Sequence, residues 1–145
     1  MKTSFFATTW LLLTTFAFSQ PAGLDDVEIK VTHINGSFHM LEGRGGNIGV
    51  SVGNDGVFMV DDQFAPLTDK IIEAVGSLTG KPVDFVVNTH LHGDHTGGNE
   101  NLGKMGAYIV AHDLVRDRLK LRTMNRQTGE YGPGTSPAGL PTITY

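Results

Sequence analysis

Cysteine is absent from the 145 residues. Disulfides are therefore excluded as a source of stability, and thiolate as a metal ligand, so any metal must be held by histidine and carboxylate alone. Charge of one sign is scarce too: 11 Lys and Arg stand against 15 Asp and Glu, a formal charge of -4. That balance is too small and too evenly spread for nucleic acid or an acidic membrane surface as a partner. The run Gly43-Arg44-Gly45-Gly46 lacks a following Gly-Lys-Ser/Thr and opens no helix, which excludes a phosphate-binding loop and leaves a turn. The single tryptophan, Trp10, lies near the start and says nothing about the rest. Neither an internal repeat nor a low-complexity array is present.

With 39% apolar and 18% charged residues, the length fits one domain with a real core. The first nineteen residues differ from the rest. Lys2 gives a positive start, residues 5–18 are mostly apolar, and Ala17-Phe18-Ser19 places small residues where a signal peptidase reads. A membrane anchor or buried helix is the alternative. Thr8, Thr9, Thr14 and Thr15 interrupt the run, however, and it is short of the roughly 20 residues a span needs. We expect residues 1–19 to be a signal peptide and 20–145 an exported domain, periplasmic or secreted, with no stable membrane span once the leader is cleaved.

Val27, Ile29 and Val31 alternate with polar residues, and Phe38 and Met40 repeat the pattern after Asn35-Gly36, which predicts a strand pair. Residues 47–52 and 57–60 predict a second pair around Asn54-Asp55-Gly56. From Pro66 the period lengthens: Leu67, Ile71, Val75 and Leu78 share a face of a helix that Pro66 opens and Gly80 closes. Residues 83–87 and 108–111 are short apolar runs of the kind that form strands buried on both faces. A short helix to about Lys104 separates them, and residues 113–122 show helical spacing through Leu114, Arg118 and Leu121. This order is that of an α/β layered fold. Residues 129–141, with four Gly and three Pro, read as a loop or lid. Residues 142–145 resemble a strand with nothing left to pair it, which we take as a sign of truncation.

The chemistry concentrates in His90-Leu91-His92-Gly93-Asp94-His95, where four potential ligands fall within six residues. In extended backbone, alternate side chains share a side, so His90, His92 and Asp94 can converge while His95 reaches across at the turn. Imidazole and carboxylate are the ligands zinc accepts without thiolate. A loop at the carboxyl end of a buried strand is also where α/β folds place their sites. The plainer alternative is a chance cluster of polar loop residues.

The longer run Thr89-His90-Leu91-His92-Gly93-Asp94-His95-Thr96-Gly97-Gly98-Asn99 resembles the signature loop of the metallo-β-lactamase superfamily, and residues 27–122 follow that family's element order. The resemblance implies the N-terminal half of an αββα sandwich and a zinc-dependent hydrolase with two zinc ions. His90 and His92 would bind the first ion, Asp94 and His95 the second. A zinc-bound water, its pKa lowered to about 7, would supply hydroxide to attack an ester, thioester, lactam or similar bond in a small-molecule substrate. Asp94 would orient that water and take its proton. Asp61 resembles the carboxylate that braces the loop, the alternative being an Asp that caps the next turn. The family's third histidine, bridging carboxylate and last histidine lie further along than this sequence reaches, so we expect a fragment that is inactive alone. A zinc-binding carrier without turnover is a further alternative. His112 follows the motif too closely to be the third ligand and reads as structural at a strand end, while His33 and His39 read as strand or surface residues. The adjoining Asp94-His95 argues against variants with Cys in the second site. An isolated half-sandwich would also expose an apolar face.

Overall fold

Alternation between apolar and polar residues shapes the first third of the chain. In the computed structural model, which describes residues 23–121, 129 and 132–145, strands β1 (Lys30–Asn35), β2 (Phe38–Glu42), β3 (Asn47–Val52) and β4 (Val57–Val60) pair antiparallel in sequence order. Trp10, the expected leader with its cleavage position, and residues 130 and 131 of the glycine- and proline-rich tail lie outside the described residues. Beyond β4 the pairing turns parallel through β5 (Phe85–Val87), β6 (Tyr108–Ala111) and β7 (Ile143–Thr144), giving one seven-stranded sheet in the order β1-β2-β3-β4-β5-β6-β7. Parallel neighbours need crossovers. These are supplied by helix α1 (Thr68–Gly76), by the pair α2 (Gly93–Thr96) and α3 (Asn99–Lys104), and by α4 (Asp113–Lys120).

One sheet face carries Leu41, Ile48, Val50, Val57, Met59, Val86 and Ile109, which form a single cluster with Leu67, Ile71, Val75 and Leu102. The other face is open. Phe58, Phe85 and Tyr108 stand in register across three strands, their rings stacked at 4.9 and 5.5 Å, yet Phe58 is 40% and Tyr108 55% exposed. Strands β5 and β6 are therefore buried on one face only, not on both as their apolar runs suggested, because the helices pack on a single side of the sheet.

Three further expectations need correction. Helix α1 stops at Gly76 rather than at Gly80: Ser77 N–H bonds to Glu73 O, and the N–H groups of Leu78 and Thr79 both turn back to Val75 O, closing the last turn early. The terminal strand does find a partner, since β7 adds to β6 with Ile143 opposite Val110. The helix read over 113–122 ends at Lys120 as α4; within it Val115 is buried and Leu114 faces solvent, as does Leu121 just past its end.

Polar groups pin the carboxyl ends of the central strands. Asn88, just after β5, and Asn99, opening α3, exchange side-chain hydrogen bonds at 3.0 and 2.9 Å. Asn88 also donates to His95 O and Asn99 to Gly139 O. Asp62 follows β4 and is fully buried; its Oδ1 accepts from Gly98 N–H at 2.9 Å, while Oδ2 has no partner. Burial pushes its carboxyl up to about 8, and the neighbouring Asp61 charge adds to the rise, against the opposing hydrogen bonds from Gly98 and Asn88.

Two measurements check this packing. Ile71→Ala should lower unfolding free energy by about 2–5 kcal/mol in denaturant titration, whereas Leu114→Ala at an exposed site should change it by less than about 0.5 kcal/mol. Asp62 favours its acid form in the folded state. Its stabilisation is therefore complete below the unfolded value of 3.8 and is lost as pH rises toward about 8. Asp62→Asn, which stays neutral, should flatten the fall in thermal midpoint over that window; parallel profiles for parent and variant would contradict the assignment.

Candidate metal centre

Strand β5 delivers Asn88 and Thr89 to the edge of the sheet, the chain bends through residues 89–91, and His92 is extended (φ -68°, ψ 147°) just before helix α2 begins at Gly93. The carbonyl of His92 accepts from the N–H groups of His95 and Thr96, and Thr96 Oγ1 bonds back to the same oxygen at 3.1 Å. The expected extended run from His90 to Asp94 is thus cut short by a helical turn. The turn changes which side chains meet. His90, Asp94 and His95 each offer a ligand atom, and these atoms all lie within 4.8 Å of one another. His92 stands beside that group, its ring edge-on to His90 at 4.8 Å between centroids.

Asp61 sets the orientation of the rings. It is 4% exposed and sits just past β4 in left-handed backbone (φ 62°). Its Oδ1 accepts from Thr89 N–H at 2.7 Å, and its Oδ2 accepts from Thr89 Oγ1 at 2.7 Å and lies 2.8 Å from His95 Nδ1. A carboxylate only accepts, so His95 must carry its proton on Nδ1. Thr89 gives its single hydroxyl proton to Asp61, and the 3.0 Å contact with His90 Nδ1 therefore runs from His90 to Thr89. With Nδ1 engaged in this way, Nε2 is the ring nitrogen that a neutral imidazole at either position would offer to a metal. The His95 Nε2 lies 3.5 Å from Asp94 Oδ2, and the His90 and His95 rings are 4.0 Å apart.

Two imidazoles and one carboxylate within 4.8 Å match the ligand chemistry of a divalent zinc site. The carboxylate behind the rings matches the outer partners that such ligands need. The residues present therefore fit a metal ion. Beside the loop opens a cavity of about 730 Å³, with Leu91, Thr96, Leu119 and Thr135 among its walls.

Of the remaining histidines, His112 caps α4 by accepting from Leu114 N–H at 3.2 Å, the structural role expected of it. His33 and His39 face each other across β1 and β2. Sequence reasoning missed Thr89, Gln63, Asn88 and Asn99. Thr89 could have been found from its place beside the motif; the other three gain their roles only through contacts distant in sequence.

The profile of the metallo-beta-lactamase superfamily matches residues 41–142. Over 56 residues the chain is 36% identical to a hydroxyacylglutathione hydrolase of Nitrosococcus oceani, a match covering 38% of this chain and 21% of that protein. Among solved structures, a subclass B3 metallo-beta-lactamase of Bradyrhizobium japonicum aligns with a TM-score of 0.66 at 19% identity, over 81% of this chain and 46% of its own. Another subclass B3 enzyme, from a soil metagenome library, aligns at 0.63 and 22% identity, over 81% and 46%. At such identities these likenesses show the fold, and the chain spans less than half the length of either structure. With a profile match across most of its length, an α/β sheet of this topology and the histidine-rich loop at the carboxyl end of β5, the chain belongs to the metallo-beta-lactamase superfamily.

Proposed function

We infer that this chain carries the N-terminal part of a zinc-dependent hydrolase site. The superfamily is one of metallo-hydrolases and its fold implies a small-molecule substrate; the assignment of ion and residues is our proposal. The observation that carries it is the convergence of His90, Asp94 and His95 within 4.8 Å, with both ring tautomers fixed by one buried carboxylate.

His90 and His92 would hold a first zinc ion, and Asp94 and His95 a second, with His90 close enough to the second pair to bring the two ions together. When bound, zinc lowers the pKa of a water to about 7 and polarises the oxygen of the bond under attack. Asp94, half-buried beside His95, would orient the attacking water and accept its proton at Oδ2. Asp61 and Thr89 keep the two rings from turning. The scissile bond would be an ester, thioester, lactam or similar acyl bond, a class that spans the named hydroxyacylglutathione hydrolase and the beta-lactamases. We place residues 1–19 as a signal peptide, from their sequence pattern, and so propose a periplasmic or secreted domain from residue 20. Among the described residues no helix is long and apolar enough to cross a membrane.

A second reading is favoured by the open sheet face with Phe58 and Tyr108 exposed. This polypeptide alone would bind zinc without turnover until a second layer covers that face.

Metal analysis of the purified chain equilibrated with zinc tests the proposal. Bound zinc that is lost in both His90→Ala and His95→Ala is expected, and a chain that retains none contradicts it. In a form that turns over, Asp94→Asn should cut the rate by about 10²–10⁴-fold while leaving the first ion in place. An unchanged rate would remove Asp94 from proton transfer.

A further inference from the structure

Gln63 is 1% exposed, yet it is polar and holds left-handed backbone at φ 55°, a conformation that costs a non-glycine residue energy. Its side-chain amide is spent on the main chain of the glycine-rich connection between β2 and β3. Oε1 accepts from Arg44 N–H at 3.2 Å, and Nε2 donates to Gly46 O. The loop lies so close that a Cβ on Gly43 would stand 2.5 Å from Gln63 Oε1.

The far side of the same loop presses on the metal cluster. A Cβ on Gly46 would stand 2.6 Å from His95 Cε1 and 3.1 Å from its Nε2. One on Gly45 would stand 2.9 Å from Asp94 Cβ. The imidazole cannot move aside freely, because its other edge is bonded to Asp61 at 2.8 Å.

We propose that Gln63 is a positioning residue: its buried amide clamps residues 44–46 against the His95 imidazole, which is thereby held between Asp61 and Gly46 with Nε2 presented toward Asp94. The proposal rests on the zinc-site reading for its consequence, but the geometry it asserts belongs to the metal-free chain. A buried glutamine that merely satisfied loop hydrogen bonds would affect stability without touching the ring. The clamp instead keeps the ring against Asp61, and with it the Nδ1–H tautomer and the readiness of His95 to bind metal.

The test uses the full chain with Gln63→Met, similar in length but unable to bond, Gly46→Ala, and the double variant, each checked for folding by its thermal midpoint. Nitrogen-15 spectra of the histidine rings, without metal and well above the ordinary imidazole range, should show His95 in the Nδ1–H form in the parent. In either variant the signal should move toward an average of the two ring nitrogens, with His33, His39 and His112 unchanged. A single unshifted tautomer in a folded variant overturns the clamp; if Gln63→Met does not fold, Gly46→Ala decides. In zinc competition titrations each single variant should bind about 10-fold or more weakly, and the double no more weakly than the worse single, since both act through one loop. Additive losses would show that Gln63 acts elsewhere. If the parent binds no zinc, the hydrolase reading fails, while the ring spectra still decide the clamp.

Discussion

The carboxylate of Asp61, almost entirely buried, holds together a strand end, a loop and two imidazoles. Its hydrogen bonds to Thr89 tie β5 to β4 beyond the last ladder pair. Its bond to His95 reaches across to α2, and through the Thr89 hydroxyl it governs His90. Charge-assisted bonds of this kind are stronger than neutral ones. Their geometry is set by a residue held at φ 62°, so the strand has to leave the sheet sharply for the site to exist. The two residues after it extend the same logic. Asp62 fastens the start of α3 through Gly98, and Gln63 fastens the glycine-rich loop.

Layering explains where this turn can sit. Parallel strands with helices on one face send their carboxyl ends to a common edge, and there the backbone amides after β4 and β5 are free to bond to loops. Asn88 and Asn99 close the floor of that edge by exchanging their amide hydrogens, with no charge left buried between them. Among the described residues the opposite sheet face has no such closure. The row Phe58, Phe85 and Tyr108 is what a second layer would cover, in keeping with a chain that spans less than half the length of its structural relatives.

Much of this could be read in the sequence, and the exceptions have physical causes. Turn residues such as Asn35-Gly36 and Asn54-Asp55-Gly56 fix hairpins locally, so the second antiparallel pair came out at its observed limits, while β1 begins only at Lys30, after the start of the alternation at Val27. The apolar runs at β5 and β6 misled, because Val, Phe and Tyr look alike whether a partner layer is present or not. Only the observed burial of Val86 and exposure of Tyr108 separates the faces. Within the motif the residue types were evident, and an extended reading brought His90, His92 and Asp94 to one side with His95 reaching across at the turn. Gly93 starts a helical turn, which draws His95 into the tightest group with His90 and Asp94 and leaves His92 beside His90. Gln63 carries no sequence signal, since its partners lie 17 and 19 positions away. The glycines at 45 and 46 were visible but read only as a turn, when their lack of side chains is what lets the loop touch His95.

The central proposal is that one buried carboxylate sets the rings of a site in which His90 and His92 would hold one zinc ion and Asp94 and His95 a second. Anomalous diffraction at the zinc absorption edge, from crystals of the chain grown with zinc, tests it most directly. The account predicts one peak within bonding distance, about 2.0–2.2 Å, of a His95 ring nitrogen and an Asp94 carboxylate oxygen, and a second at that distance from ring nitrogens of His90 and His92. A peak on other residues, such as the cross-strand pair His33 and His39, or none at this loop, would contradict it.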